Sequence, residues 1–248
     1  MSARFEELAW ADTAMGPVSL RRRLEPTLKV DVFEAKLGDE FLMSSLFVAA
    51  EVELARLGLA AVPGAELDVV VGGLGLGYTA QAVLADPRVR SLIVVEALAE
   101  VIDWHRRELL PETAGLATDP RTRLVHGDFF ALTAAGASAE SVAATAAGTG
   151  YDPASPGRRF HAVLVDIDHT PSHLLHGSHA GFYQEAGLRR LTEHLHPQGA
   201  FALWSDDPPD PAFQQVLAAV FGRTQAHVVA FGNPLTGGES RNTVYVAS

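Results

Sequence analysis

The sequence predicts an α/β fold in which helices cover both faces of a mostly parallel, seven-stranded sheet. Continuous apolar runs of strand length recur along the chain, they alternate with segments of helical periodicity, and the first run of the series ends in a cluster of glycines. Strands that alternate with helices are joined by right-handed crossovers, which build a parallel sheet. At 248 residues the chain is long enough for one such unit with additions.

The composition is that of a folded domain with an acidic surface. Hydrophobic residues make up 48% of the chain, and 30 Asp and Glu outnumber 19 Lys and Arg to give a net charge of -11. This excess disfavours nucleic acid as a partner and favours a cationic ligand such as an amine. The absence of cysteine excludes disulfides, zinc-thiolate sites and thiol catalysis, and it fits a reducing compartment.

The chain shows no targeting or membrane signal. The N-terminus carries Arg4, Glu6 and Glu7 with no apolar segment after them. The longest apolar stretches fall far short of the ~20 residues that a membrane span needs. We therefore expect a cytoplasmic protein with no membrane partner.

Two elements are predicted ahead of the main sheet. Partial apolar alternation at 18–20 and 28–34 predicts a β-hairpin. A helix is predicted to follow, with Ser44 or Ser45 as its N-cap and Gly58 as its stop. We assign residues 1–62 to this hairpin and helix, and 63–248 to the α/β domain.

The elements of the main domain then follow in order. The predicted strands are 67–71, 91–95, 123–125, 162–165 and 200–204, with a closing pair at 227–231 and 243–246. The predicted helices are 80–84, 99–110, 187–194 and 212–221. Residues 131–157 are rich in Ala, Gly, Ser and Thr and predict a helix with a mobile connection.

The first strand of the main domain runs into a glycine-rich loop that contains Gly72, Gly73, Gly75 and Gly77. Glycines permit a tight turn and the close approach of a ligand to backbone N–H groups at a helix N-terminus. The alternative is a glycine turn without function. The second strand ends at Glu96, where a carboxylate can accept hydrogen bonds from both hydroxyls of a ribose. Strand, glycines, helix, strand and acid in this order favour a nucleoside site.

Acidic residues also end the third and fourth strands. Asp128 follows the third strand, where it could accept a hydrogen bond from an adenine amino group or cap the next helix. Asp166, Asp168 and His169 follow the fourth strand, at the edge where open α/β sheets bind their ligands. Two acids and a histidine there predict a general base or a metal site, and the alternative is that one of them caps a loop.

The order and spacing of the glycine loop, Glu96, Asp128 and Asp166 resemble those of class I S-adenosylmethionine-dependent transferases. Within that group the layout of residues 18–246 is similar to the spermidine synthase family, the polyamine aminopropyltransferases. The resemblance implies a Rossmann-like class I methyltransferase fold, with 63–248 as a nucleoside-binding catalytic domain and a homodimer as the default assembly.

The same resemblance implies roles for single residues. The glycine loop would hold the methionine part of S-adenosylmethionine or of its decarboxylated form, Glu96 the ribose and Asp128 the adenine. Asp166 would accept a proton from an attacking amine, with Asp168 and His169 beside it. The expected activity is the transfer of an aminopropyl or methyl group to a small nucleophile, most simply an amine.

Three positions depart from the spermidine synthase pattern. The family has an Asp where Gly75 stands, its Asp-x-x-Asp is shortened here to Asp166-x-Asp168, and its Tyr-His pair has no counterpart near residues 47–48. We therefore expect the donor pocket to be retained more fully than the polyamine pocket.

A second resemblance supplies an alternative. Residues 166–169 are similar to the Asp-x-Asp-His segment of metal-dependent O-methyltransferases, in which case Asp166, Asp168 and Asp207 would hold Mg²⁺. A non-catalytic nucleoside-binding protein is a third hypothesis. Histidines 169, 173, 176 and 179 match no standard zinc spacing, and we interpret their segment as a lid-like loop over the site.

Overall fold

The N-terminal part of the chain folds as a four-stranded antiparallel sheet. A computed structural model describes residues 5–135 and 150–248. The strands lie in sequence order and are β1 (Phe5–Thr13), β2 (Gly16–Glu25), β3 (Val30–Leu37) and β4 (Glu40–Ser44). The predicted hairpin is the β2–β3 pair, and the strands on either side widen it into a sheet. The sequence gives little sign of β1 because this edge strand is largely exposed and lacks a buried apolar face.

The main sheet has seven strands, as predicted. They are β5 (Leu67–Gly72), β6 (Val89–Glu96), β7 (Thr122–His126), β8 (Phe160–Val165), β9 (Leu195–Ser205), β10 (Thr224–Asn233) and β11 (Gly238–Ala247). Their spatial order is β10-β11-β9-β8-β5-β6-β7. The five strands from β9 to β7 are mutually parallel, whereas β11 runs antiparallel to both β9 and β10.

Helices cover both faces of this sheet. They are α1 (Ala49–Ala60), α2 (Tyr78–Ala85), α3 (Ala99–Arg106), α4 (Phe129–Ala134), α5 (Glu185–Glu193) and α6 (Pro211–Ala218), with short 3-10 helices at Pro111–Thr113 and Gly177–Gly181. The connection predicted after α4 lies mostly outside the described residues. No helix among the described residues is long and apolar enough to cross a membrane.

The predicted ends of α1 were wrong. The helix is preceded by Val48, which makes no capping bond, because the hydroxyls of Ser44 and Ser45 accept instead from the backbone N–H groups of Leu46 and Phe33. Gly58 lies within the helix. A Cβ at this position would stand 2.4 Å from Cδ2 of Leu164, so this glycine brings α1 close to the sheet and does not end it.

The central strand β5 divides the core into two layers. Every residue of β5 is buried, with Val69 and Val71 facing one apolar cluster and Val70 facing the other. This two-sided burial is typical of a parallel strand covered by helices on both faces.

The site lies where the chain reverses its direction across the sheet. From β5 the chain adds β6 and β7 on one side, and later β8 and β9 on the other. The carboxyl ends of β5 and β8 are adjacent, and the Asp166 N–H donates to the Gly72 carbonyl over 2.9 Å. A crevice at this switch point is the usual ligand site of an open α/β sheet.

Candidate active site

A cavity of about 900 Å³ opens above the switch point, a volume suited to a small-molecule ligand. The N-terminal sheet and the β10–β11 pair form its other walls. Among the described residues, five carboxylates and only one guanidinium line the cavity. The carboxylates are those of Glu51, Glu96, Asp128, Asp166 and Asp206, and the guanidinium is that of Arg241. The cavity therefore favours a cationic ligand.

Protein packing accounts for the glycines of the loop. A Cβ on Gly73, whose φ is +94°, would stand 2.1 Å from the carbonyl oxygen of Asp166. A Cβ on Gly75, whose φ is +46°, would stand 2.3 Å from the sulfur of Met43. Met43 thus fills the space beside the position where the spermidine synthase pattern has an Asp. Sequence reasoning missed Met43 because its contact with the loop is purely tertiary.

The N–H groups of the loop are already used within the protein. Four of them donate to protein acceptors, so the loop does not present a row of free donors to a phosphate. The pairs are Gly73 to the Val95 carbonyl, 2.9 Å; Leu74 to Glu96 Oε2, 2.9 Å; Leu76 to Met43 Sδ, 3.0 Å; and Gly77 to the Leu74 carbonyl, 2.8 Å. The loop is better suited to a neutral or cationic group than to a pyrophosphate.

We expect Gly73→Ala to destabilise the fold far more than Gly64→Ala. Both glycines have a left-handed φ, but nothing lies within 4 Å of a Cβ on Gly64, whereas Gly73 abuts backbone. Gly64→Ala should cost about 1–2 kcal/mol, the strain of the left-handed backbone alone. Gly73→Ala should cost several kcal/mol more or fail to fold. Urea unfolding of the two variants measures the difference, and equal costs would contradict the packing described here.

Glu96 is held at the end of β6 by the loop that follows β5. Its Oε2 accepts from Leu74 N–H and its Oε1 from Leu98 N–H, each over 2.9 Å. Burial raises the pKa of Glu96, while these amides and those of Gly75 and Ala97 oppose the rise by stabilising the charge. Each oxygen keeps a second lone pair, so the carboxylate can still accept from two vicinal hydroxyls. The ribose role stays a prediction.

Asp128 combines the two roles considered for it. Its Oδ1 caps α4 by accepting from Phe130 N–H over 2.8 Å and Ala131 N–H over 3.1 Å. Its Oδ2 has no hydrogen-bond partner among the described residues, and the side chain lines the cavity. The capping role is confirmed, and the adenine role stays a prediction.

Asp166 shares the floor of the cavity with Glu51, a residue that sequence reasoning missed. Thr79 donates a hydroxyl hydrogen bond to Asp166 over 2.6 Å. Burial raises the pKa of Asp166 despite this bond. Glu51 is 8% exposed, and burial together with the charge of Asp166 raises its pKa to about 8. The sequence feature that could have identified Glu51 is its spacing from Leu54, which places both side chains on the buried face of α1.

Glu51→Gln is expected to stabilise the protein, and more so as the pH rises. The folded protein keeps a proton on Glu51 that the unfolded chain loses above about pH 4.5. Deprotonation of Glu51 therefore costs the wild type stability between pH 4.5 and 8, and the variant lacks this contribution. We expect little difference at pH 4 and a gain of a few kcal/mol at pH 8, measured by urea unfolding.

Glu53→Gln is the matched control on the same helix. Glu53 is paired with Arg56 at the surface, which lowers the pKa of its carboxyl. Its replacement should change stability by less than about 1 kcal/mol, without growth from pH 5 to 8. If Glu51→Gln behaved in the same way, the raised pKa that burial and the charge of Asp166 give to Glu51 would be contradicted.

Asp168 does not line the cavity. Its side chain is fully buried and accepts three hydrogen bonds, from Leu175 N–H over 2.7 Å, from Tyr183 Oη over 2.9 Å and from His179 Nδ1 over 2.9 Å. The structure thus places Asp168 outside the cavity lining, and a catalytic role for it stays a prediction. Strand β8 ends at Val165, so the alternation that would have placed Asp168 on the side of Asp166 no longer applies.

The histidine-rich segment borders the cavity. His169 lines it and meets Glu40 of β4, with 3.0 Å between Nε2 and Oε1. His176 and His179 also line the cavity. The segment thus borders the cavity, and its role as a lid and a catalytic role for His169 stay predictions.

The alternative magnesium site is not formed. Asp166 faces the cavity, Asp168 is turned away into a hydrogen-bonded cluster, and Asp207 is exposed outside the cavity lining. Among residues 5–135 and 150–248, no group of three or more His, Asp or Glu side chains is arranged to hold a metal ion. This arrangement contradicts Asp166, Asp168 and Asp207 as a shared ligand set.

Known structures resemble the whole described architecture. Spermidine synthase from Thermotoga maritima matches with a TM-score of 0.69 and 17% sequence identity, over 98% of this chain and 72% of that one. The fold is that of spermidine synthase. A spermidine synthase in complex with the transition-state analogue AdoDATO matches with a TM-score of 0.67 and 18% identity, over 98% of this chain and 73% of that one. No family model and no curated protein sequence matches the chain.

This likeness confirms the predicted Rossmann-like class I methyltransferase fold with its added N-terminal strands. At 17–18% identity it establishes the fold alone. The division of the chain at residue 63 stays a prediction. Helix α1 precedes this division and packs on α2 and on β9 of the main sheet.

Proposed function

We propose that this protein is a spermidine synthase-like transferase that moves an alkyl group, aminopropyl or methyl, from an S-adenosylmethionine-type sulfonium donor to a small amine. The observation that carries the proposal is that the glycine loop, Glu96 and Asp166 border one acidic cavity at the switch point of the sheet. A spermidine synthase of the same fold is known in complex with a transition-state analogue. Fold alone does not decide function, so the argument rests on the site.

The donor end of the cavity is suited to a nucleoside without phosphates. Glu96 offers two acceptors to the ribose hydroxyls, and Asp128 offers a free oxygen beyond it. The paired amides of the glycine loop leave a dinucleotide without the donors that its phosphates require. A sulfonium group carries positive charge and needs none of those donors, and the surrounding carboxylates attract it.

Asp166 supplies the proton acceptor that the reaction needs. A protonated amine has no lone pair, so it must lose a proton before it attacks the carbon next to sulfur. As the new C–N bond forms, the C–S bond breaks and its electron pair returns to sulfur, which leaves a neutral thioether. The raised pKa of Asp166 makes it a stronger base toward an ammonium group than an ordinary aspartate. Orientation of the two reactants supplies much of the remaining rate.

The acceptor end is lined by large apolar side chains as well as by acids. Phe41, Phe47, Trp204 and Phe231 line it, and Nε1 of Trp204 is buried without a partner among the described residues. These side chains exclude water from the reacting atoms, which strengthens the attraction between an ammonium group and Asp166.

Calorimetric binding of S-adenosylmethionine, its decarboxylated form and methylthioadenosine tests the proposal. We expect micromolar binding of at least one sulfonium donor, unchanged by Mg²⁺ or EDTA. Preference for the decarboxylated donor assigns aminopropyl transfer, and preference for the intact donor assigns methyl transfer. Absence of binding by all three would overturn the proposal. Binding without turnover across a panel of amines would identify a nucleoside-binding protein without catalysis.

A further inference from the structure

One histidine of the cavity wall is held in a fixed orientation by a buried carboxylate. Nδ1 of His179 lies 2.9 and 3.0 Å from the two oxygens of Asp168. Leu175 N–H and Tyr183 Oη donate to the same carboxylate, so all of its partners are donors. Nδ1 therefore carries the hydrogen, and the second ring nitrogen, Nε2, is an acceptor in the neutral imidazole.

Packing fixes the ring of His179 as well. It stacks on Phe130, with 3.9 Å between ring centroids and 25° between ring planes. The side chain is 9% exposed and lines the cavity. Among the described residues Nε2 has no hydrogen-bond partner, and it is not among the fully enclosed polar atoms. This nitrogen is thus an oriented acceptor that the protein itself leaves unused.

His179 borders the part of the cavity that the base of a bound nucleoside would occupy. In the proposed function the 5′ substituent lies at the glycine loop after β5, and the ribose lies at Glu96 after β6. The base then extends toward β7, the next strand in the sheet. Asp128 follows β7, and Phe130, on which His179 stacks, accompanies it in α4.

We propose that His179 selects the nucleobase together with Asp128: its Nε2 accepts one hydrogen of the exocyclic amino group of adenine, the other hydrogen remains for Asp128, and Asp168 is the positioning residue that fixes the tautomer. This inference rests on the proposed function. An oxopurine presents a carbonyl oxygen where adenine has its amino group. Two acceptors would then face each other, and the site rejects such a base.

Binding of methylthioadenosine and methylthioinosine to matched variants tests this inference. Wild type should bind the adenine nucleoside at least about tenfold more tightly, as expected for one hydrogen bond lost to an unpaired acceptor. His179→Phe keeps a ring on Phe130 and removes the acceptor, so the ratio should fall about tenfold. His227→Phe, which changes a histidine of β10 outside the cavity lining, should leave the ratio unchanged.

Tyr183→Phe controls for disturbance of Asp168. It removes one donor from that carboxylate but leaves Nε2 in place, so it should preserve the preference for adenine. A folded His179→Phe variant with the wild-type ratio would overturn the inference and leave the proposed function intact. Failure of the wild type to bind either nucleoside would overturn the inference, and only the further absence of binding by both sulfonium donors would overturn the proposed function with it.

A measurement on the wild type covers the case in which His179→Phe does not fold. Histidine ¹⁵N chemical shifts should show the His179 signal of a ring protonated at Nδ1 and bare at Nε2. Methylthioadenosine should shift the Nε2 signal in the direction of hydrogen bonding, and methylthioinosine should not. A ring protonated at Nε2, or equal shifts with the two nucleosides, would contradict the proposal.

Discussion

Asp166→Asn should lower the turnover of any accepted amine by about 10²–10⁴-fold, because the amide cannot take up the proton that the attacking amine releases. The change keeps the size of the side chain and its acceptor oxygen for the Thr79 hydroxyl, so the donor should still bind. Initial rates with the donor identified by calorimetry, compared at saturating amine, measure the effect.

Asp207→Asn is the matched control for this variant. Asp207 is an exposed acid after the neighbouring strand β9, outside the cavity lining. Its replacement should leave turnover unchanged. Full activity of Asp166→Asn would remove Asp166 as the base, and an equal loss in both variants would revive a shared metal site.

Glu96→Gln should weaken nucleoside binding by about 100-fold, because both ribose hydroxyls lose their carboxylate acceptor. A neutral amide accepts at one atom only, and its NH₂ group would face a backbone N–H that now donates to the carboxylate. Dissociation constants for methylthioadenosine, measured by calorimetry, give the size of the loss.

A ligand without ribose hydroxyls distinguishes a loss of ribose recognition from damage to the glycine loop in Glu96→Gln. Wild type should bind methylthioadenosine much more tightly than its 2′,3′-dideoxy form, and Glu96→Gln should bind the two almost equally. Glu100→Gln changes an acid in the first turn of α3, outside the cavity lining, and should retain the wild-type difference. If the difference survived in Glu96→Gln, the ribose would lie elsewhere.

The sheet and its binding edge could be predicted because local sequence patterns indicate both. A buried parallel strand is a continuous apolar run, and the residue after it must lie at the carboxyl edge of the sheet. Glycines that allow a positive φ mark the turn after β5. These rules placed Gly73, Glu96 and Asp166 at one edge without knowledge of any tertiary contact.

The remaining features depend on which residues meet across elements. Glu51 belongs to α1, and only the packing of that helix on the sheet brings it beside Asp166. Asp168 and Asp166 are two positions apart, but the strand ends before them, so Asp166 lines the cavity whereas Asp168 lies in the buried cluster behind it. Gly58 has the residue type of a helix stop, whereas its actual role is the close approach of α1 to Leu164. The spacing of apolar residues along the sequence does not indicate any of these contacts.

A crystal structure of the protein with S-adenosylmethionine or its decarboxylated form would show directly where the donor binds. We expect the ribose hydroxyls within hydrogen-bond distance of Glu96, the sulfonium between the glycine loop and Asp166, and the adenine toward Asp128. A nucleoside bound outside this cavity, or bound in it with the ribose away from Glu96, would contradict the proposed function.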